Sequence, residues 1–471
     1  MFISSLGLLA FVAYTQAANL TVLSTAMTPN GFHNAARGWN SFGIQANSAT
    51  TPSWGEFNQG NVTRQCDVLA QPHFKAAGYQ YCSLDSGWSL DEGDNNGRLL
   101  YDPSLFDLPA FAEHLHRKGL LLGVYVLPGA LCDDGNKTIL GTNVQLKSTF
   151  NGNNDGFLRC DFDFSKPGVQ EWHDSVIHLF ASWGVDLVKV DFVTPGSPDN
   201  GANLVVDNSG AVVAYHKAIA KASRPMRLDI SWKLERNNTY YDIWRANADT
   251  MRTDQDINNS GKSTFVEWAT VQRAIENYRQ YIVLQIPKDQ PLSIYPDMDN
   301  LYAGNSAKIT GVSDSMRETI MSHWLGAAAN LITGSDLTNL DNLGVKLLTS
   351  QTGIAIADFA AKYLMQPRNP GSGGTDAKQL QAWIAGPDLK AGQAIVILAN
   401  YGPDQGQGGF STQLAGKQKV SISLEDLGLG SGPAFNVENV WSGKSSVIER
   451  GGSLSESLAE GESVLLKLSL R

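Results

Sequence analysis

The stretch VQEWHDSVIHLFASWGVDLVKVDF, residues 169–192, decides the fold. Val169–Trp183 repeats apolar side chains at helical spacing. It leads into Val185–Val190, a short apolar run of the kind a strand buried on both faces shows. The same couple recurs on either side. Upstream lie strand-like Ala35–Phe42, a helix from about Val62 to Ala77, a strand at Tyr79–Leu84, a helix at Phe106–Lys118 and a strand at Gly119–Leu127. Downstream come strands at Met226–Ser231 and around Met251 and Arg252, then a helix at Thr264–Leu284. Leu292–Tyr295 reads as strand, Ser315–Ala329 as helix and Leu331–Thr333 as the last strand. About eight such repeats imply a parallel sheet closed as a (β/α)8 barrel, placed here at residues 25–362.

Beyond it the pattern changes. Gln366–Asp376 is rich in Pro, Gly, Ser and Asn, so residues 363–376 read as a linker. Alternating segments at Ala394–Leu398, Lys419–Ile422 and Val464–Leu468 predict a small antiparallel β-sandwich over 377–471. A chain of 471 residues has room for a large barrel plus this companion. Its net charge of −10, with no basic block, argues against nucleic acid and anionic membrane surfaces as partners.

Met1 to Ala17 reads as a secretory leader, with an apolar run at Leu6–Ala13 and small residues before Ala18. Sequons at Asn19, Asn61, Asn136, Asn237 and Asn258 fit export, and N-glycans are expected at the first four. Cys66, Cys82, Cys132 and Cys160 are an even set, and three pairings are open to them. Proximity favours Cys66–Cys82 and Cys132–Cys160. No Cys-x-x-Cys or His spacing suggests a metal, and no organic cofactor is called for.

Barrel chemistry sits at the C-terminal ends of the strands. Asp85, Asp191, Asp256, Asp297 and Asp336 follow successive strand runs, and Trp39, Tyr125 and Lys189 join them. Carboxylates with aromatics between them suit a sugar hydrolase, which needs a nucleophile and an acid/base. Strand-end aspartates also cap helices, so part of this set is expected to be structural. Lys189 and Asp191 share one strand face, and an ammonium there favours an ionised carboxylate. In Met251–Ile257, Asp254 and Asp256 compete with nearby Asp249 for the acid role, and the segment does not choose.

Several motifs, in order, resemble glycoside hydrolase family 27 of clan D, the α-galactosidases and α-N-acetylgalactosaminidases. They are Arg37–Phe42, Tyr79–Trp88, His116–Tyr125, Lys189–Asp191, Arg252–Ile257, Pro296–Met298 and Gly334–Leu337. The tail, with Trp383, Val440–Ser442 and Gly461–Leu468, is similar to that family's C-terminal β-sandwich. The resemblance implies a secreted, retaining exo-glycosidase that releases terminal α-D-galactose, with Asp191 as nucleophile and Asp256 as acid/base. The two carboxyls are then expected about 5–5.5 Å apart. It also implies sugar-binding roles for Lys189 and Arg252, a grip on the axial O4 by Asp85, pocket walls at Trp39 and Tyr125, and a floor at Met298.

Two departures bear on the sugar. The family's Asp-Asp pair is Asp85-Ser86 here, which weakens the hold on O6 and admits β-L-arabinopyranose. Ser231, where the family has a larger residue, leaves room beside C2 as in the N-acetylgalactosaminidases. The cysteine expected after the nucleophile is replaced by Phe192 and Val193. A silent carbohydrate-binding protein is the reading from another class, and the presence of both Asp191 and Asp256 weighs against it. Asp91–Arg98 and Thr138–Phe157 look like insertions at the rim that narrow the entrance or bind a longer chain.

Overall fold

The computed structural model describes residues 20–47, 55–196 and 204–471. The leader at Met1 to Ala17 and the Asn19 sequon lie outside the described residues. Eight strands form one sheet: β1 (Arg37–Asn40), β2 (Tyr81–Leu84), β3 (Leu121–Val126), β4 (Val185–Val190), β5 (Arg227–Ile230), β6 (Thr250–Arg252), β7 (Tyr295–Asp297) and β8 (Leu331–Thr333). Consecutive strands pair in parallel from β1 to β7, and β8 returns to pair with β1. The seam between β7 and β8 is closed by Asn330 N–H donating to the Pro296 carbonyl at 3.2 Å and by a parallel bridge from Leu301 to Thr333. The sheet is a barrel with helices around it.

Strand alternation sorts the side chains. Val188 and Val190 of β4 join the apolar layer under the helices, whereas Leu187 and Lys189 point into the barrel. The upper interior holds charge: Lys189, Asp229, Arg252 and Asp297 surround one small cavity. Barrels of this kind are usually filled there by branched aliphatics. Burial and the neighbouring Asp297 push the Asp229 carboxyl up to about 8, and burial, with Asp299 close by, raises that of Asp297.

Some elements differ from expectation. The helix expected from Val62 to Ala77 is two, Gln59–Leu69 and Pro72–Ala76, because Pro72 cannot continue a helix but starts the second one well. The seventh strand lies at Tyr295–Asp297, displaced from Leu292–Tyr295. The segment read as a linker contains a strand, Gln366–Arg368, paired antiparallel with Leu380–Asp388. Pro367 is tolerated because this strand is at the edge of its sheet.

The C-terminal domain has a six-stranded antiparallel sheet facing a two-stranded one, Gln418–Ser423 with Ser453–Leu458. Strand Gln393–Asn400 explains the arrangement. Ala394, Val396 and Leu398 pack inside the sandwich, while Ile395, Ile397 and Ala399 belong to the barrel's apolar layer. Both faces are buried, so its sequence QAIVILAN is apolar nearly throughout. Trp383, on the neighbouring strand, donates its indole N–H to the Tyr401 hydroxyl at 2.6 Å, and that hydroxyl also meets His323 Nε2 of a barrel helix at 2.9 Å.

The disulfides are Cys66–Cys82 and Cys132–Cys160, the pairing that proximity favours. Among the described residues no helix is long and apolar enough to cross a membrane. Trp383→Ala removes a fully buried indole from the joint between the domains. It is expected to cost about 3–5 kcal/mol of unfolding free energy, measured by urea titration followed by intrinsic fluorescence.

Candidate active site

A cleft of about 460 Å³ opens at the C-terminal rim of the barrel. Asp85, just past β2, Tyr125 on β3, Asp191, just past β4, and Asp256, beyond β6, all line it, and so does Ser86. These five predicted site residues are brought together. They reach one place because parallel strands all end on the same rim.

Asp191 is 6% exposed. Its Oδ1 accepts the backbone N–H of Phe192 at 2.9 Å, and the Tyr125 hydroxyl hydrogen-bonds to the same carboxyl. Phe192 holds the left-handed conformation at φ 54°, costly for a bulky residue. Beneath, Lys189 Nζ donates to Asp85 Oδ2 at 3.0 Å and stands 5.4 Å from the centre of the Tyr125 ring. Burial disfavours the ammonium, but Asp85 and Asp191 outweigh it and hold the Lys189 pKa above its ordinary value. Burial and the carboxylates of Asp191 and Asp85 also push the Tyr125 phenol up, so it remains a hydrogen-bond donor.

Asp256 is built differently. Its side chain is 22% exposed, and Oδ1 accepts Nη2 of Arg252 at 2.9 Å. The Arg252 guanidinium is 2% exposed and shared, since Nη1 also meets Asp299 Oδ1 at 3.3 Å. Asp299 in turn accepts the Ile257 backbone N–H at 2.7 Å, and its own φ of 77° is left-handed. Burial and the negative charge of Asp299 push the Asp256 carboxyl up to about 7, and Arg252 opposes the shift. An acid that keeps its proton near neutrality is what this produces.

The competing aspartates are accounted for elsewhere. Asp249 accepts from Thr28 Oγ1 and from the Leu228 N–H, buried away from the cleft. Asp254 is wholly buried and ion-paired with Arg273 at 2.8 Å. Asp297 turns into the barrel interior. Asp336 caps a short helix, accepting the Thr338 N–H at 3.0 Å, and also takes a hydrogen bond from Gln65.

Other predicted contacts lie beneath the cleft surface and do not line it. Trp39 is fully buried, its indole donating to the Ser335 carbonyl at 2.9 Å. The aromatic of this segment that faces the cleft is Phe42, first residue of the helix after β1. Met298 is also fully buried, on the opposite side from the inward Asp297, and packs in the apolar layer. Ser231 is fully buried, its hydroxyl 3.4 Å from Arg252 Nη1, and its neighbour Trp232 lines the cleft. Lys189 and Arg252 line the internal cavity and act on the cleft through Asp85 and Asp256. Sequence reasoning missed Phe42, Phe157, Arg159, Phe192 and Trp232. Their position just past strand ends, or in a rim insertion, is the signal that was available.

Two carboxyls in one cleft, one of them with its pKa pushed up to about 7, on the mouth of a (β/α)8 barrel define a glycoside hydrolase. The family model for alpha galactosidase A matches residues 38–166 and 154–358, and the model for the alpha galactosidase C-terminal β-sandwich domain matches residues 377–468. The chain belongs to this family, glycoside hydrolase family 27. It is 55% identical over 458 residues to alpha-galactosidase 3 of Hypocrea jecorina, spanning 95% of this chain and 73% of that one. Alpha-galactosidase A of Cellvibrio japonicus is 26% identical over 459 residues, spanning 93% and 92%. A β-L-arabinopyranosidase of the same family from Geobacillus stearothermophilus shares the fold at TM-score 0.75 and 21% identity, over 93% of this chain and 96% of that one.

The charge environment of Asp256 makes a signed prediction. It is faced by Asp299 and Tyr302 from the β7 side, Asp191 and Lys189 from β4, Tyr125 from β3 and Arg252 from β6. Asp299→Asn removes a neighbouring negative charge and leaves Arg252 to Asp256 alone, and both changes favour the ionised acid. The alkaline limb of the kcat/KM profile is therefore expected to move to lower pH, measured with a galactoside whose departure needs protonation.

Proposed function

We propose that this α-galactosidase works with Asp191 as nucleophile and Asp256 as acid/base, and that it is secreted. The observation that carries the assignment is the unequal treatment of the two carboxyls in one cleft. Asp191 accepts two hydrogen bonds, from the Phe192 N–H and the Tyr125 hydroxyl, whereas burial and Asp299 push the Asp256 carboxyl up to about 7.

In the first step an Asp191 oxygen bonds to the anomeric carbon as the bond to the leaving oxygen breaks, and the Asp256 proton passes to that oxygen. In the second, Asp256 takes a proton from water, whose oxygen attacks the same carbon and frees Asp191. Two inversions restore the starting configuration. Asp85, oriented by Lys189, accepts from sugar hydroxyls, and the axial O4 of galactose is its natural partner. Phe42 and Trp232 supply the flat apolar surfaces that a pyranose face needs.

Ser86 supports a second reading of the sugar. It is exposed in the cleft and reaches less far than an aspartate would, so its hold on a hydroxymethyl group is weak. β-L-arabinopyranosides, which lack that carbon, would fit the same pocket. Export is supported by the two disulfides and by the leader and sequons of the sequence. Asn136 and Asn237 are exposed and open to N-glycans, and Asn61 is half-buried. The Asn258 amide is spent on the Tyr302 hydroxyl at 3.0 Å.

Asp191→Ala should abolish turnover of every galactoside while leaving the fold intact. Asp256→Ala should lower kcat/KM on an α-1,6-linked galactosyl-glucose by about 10²–10⁴-fold, with formation of the glycosyl-enzyme from α-galactosyl fluoride spared. Initial-rate kinetics on both substrates, with proton NMR of the first-formed anomer, make the test. A first product of β configuration, or wild-type rates in Asp191→Ala, would overturn the assignment.

A further inference from the structure

The cleft has a wall that the barrel does not supply. It comes from a hairpin whose strands, Phe150–Gly156 and Arg159–Phe162, pair antiparallel over the rim. Phe157 and Arg159, at its turn, are both part of the cleft surface. Neither has a place in the chemistry above.

Arg159 is the more telling of the two. Its side chain is 7% exposed, yet among the described residues it makes no hydrogen bond or ion pair, and its Nε is buried without a partner. Burial lowers its pKa; Tyr215, Asp91, Tyr125 and Asp134 oppose this from a distance. A guanidinium withdrawn from water with its donors unused is expensive, because buried charge is tolerated when paired. Arg159 has five N–H donors in a fixed fork, and the residue lines the cleft. The group is therefore short of acceptors that a ligand would bring.

Phe157 adds a stacking surface. It is 49% exposed, and its ring lies 5.0 Å from that of Phe192, which itself stacks on Trp232 at 5.2 Å and 23°. The three rings are linked through Phe192, and Phe157 is the one open to solvent. Phe157 and Leu158 both have positive φ, at 48° and 67°. Two side-chain-bearing residues in that region are costly, and such outliers concentrate at ligand clamps. The Cys132–Cys160 bridge, one residue from Arg159, and the pairing of Leu131 with Arg159 hold the turn in place.

We propose that this hairpin is the leaving-group subsite: Arg159 donates to hydroxyls of the sugar beyond the scissile bond, and Phe157 stacks on that sugar's face. The unpaired fork at the cleft wall, beside a bare ring, is what assigns it. The enzyme then selects α-galactosides whose leaving group is itself a pyranose over those with a small one. The proposal rests on the α-galactosidase reading and on Asp191 and Asp256 as its reacting groups.

The test compares two substrates that share galactose and differ in the leaving group, the galactosyl-glucose disaccharide and α-galactosyl fluoride. Arg159→Met and Phe157→Ala are measured against wild type, with melting temperatures to confirm folding. Phe157 is a surface side chain, so its variant is the safeguard if Arg159→Met does not fold. Each folded variant should lose about 10- to 100-fold in kcat/KM on the disaccharide, the size of a charged hydrogen bond or a comparable contact, and nothing on the fluoride. Equal losses on both substrates, or no loss on either, would overturn the subsite. Failure of the wild type to cleave the fluoride would instead overturn the activity on which it rests.

Discussion

Everything at the barrel mouth depends on one buried guanidinium. Arg252 lies between Asp256 and Asp299, and a charge so nearly sealed from water has to keep its partners. That requirement ties three segments together: β6, which carries Arg252, the loop with Asp256, and the turn after β7. The turn must adopt a left-handed conformation at Asp299 to present its carboxylate. Because Asp299 also holds the Ile257 N–H, the loop that carries Asp256 is fixed at its next residue. The same guanidinium that positions the acid would, unopposed, strip its proton. Asp299 prevents this by competing for the charge.

The opposite wall follows the same rule with a different cation. Lys189 is buried under Tyr125 and spends its charge on Asp85. Lys189 and Arg252 thus act from below the cleft, each through the carboxylate above it. Charged groups that are already desolvated and paired need not reorganise when a substrate arrives, which is the condition for electrostatic preorganisation. The upper barrel interior is polar for the same reason, since Lys189 and Arg252 share one small cavity there with Asp229 and Asp297.

Much of this architecture could be read from residues alone. Helix Val169–Trp183 and strand Val185–Val190 have the bounds that their periodicity predicts, because each is long, regular and buried on the expected face. Boundaries failed where a local term won. Pro72 split a helix, and Gln366–Arg368 formed a strand inside a Pro- and Gly-rich stretch because an adjacent edge was there to pair with. The site was legible as a set of rim carboxylates, but Asp249, Asp254 and Asp256 could not be ranked by spacing. What separates them is which partners lie opposite, Thr28, Arg273 or the open cleft, and those come from distant parts of the chain. Trp39 and Phe42 show the same limit at shorter range, since the helix that begins at Phe42 decides which ring meets the cleft.

Strand Gln393–Asn400 has a bearing on how the molecule is made. One of its faces completes the barrel's outer apolar layer, where helix Asp314–Gly326 also packs. That helix leaves the ribosome well before the strand does, and the nine-residue strand Glu462–Leu470, which flanks Gln393–Asn400, follows later still. Until then Thr319, Ser322 and His323 of that helix lack their partners Gly461, Trp441 and Tyr401. Biosynthesis therefore passes through a stage in which the barrel carries an uncovered apolar flank, and docking of the sandwich covers it.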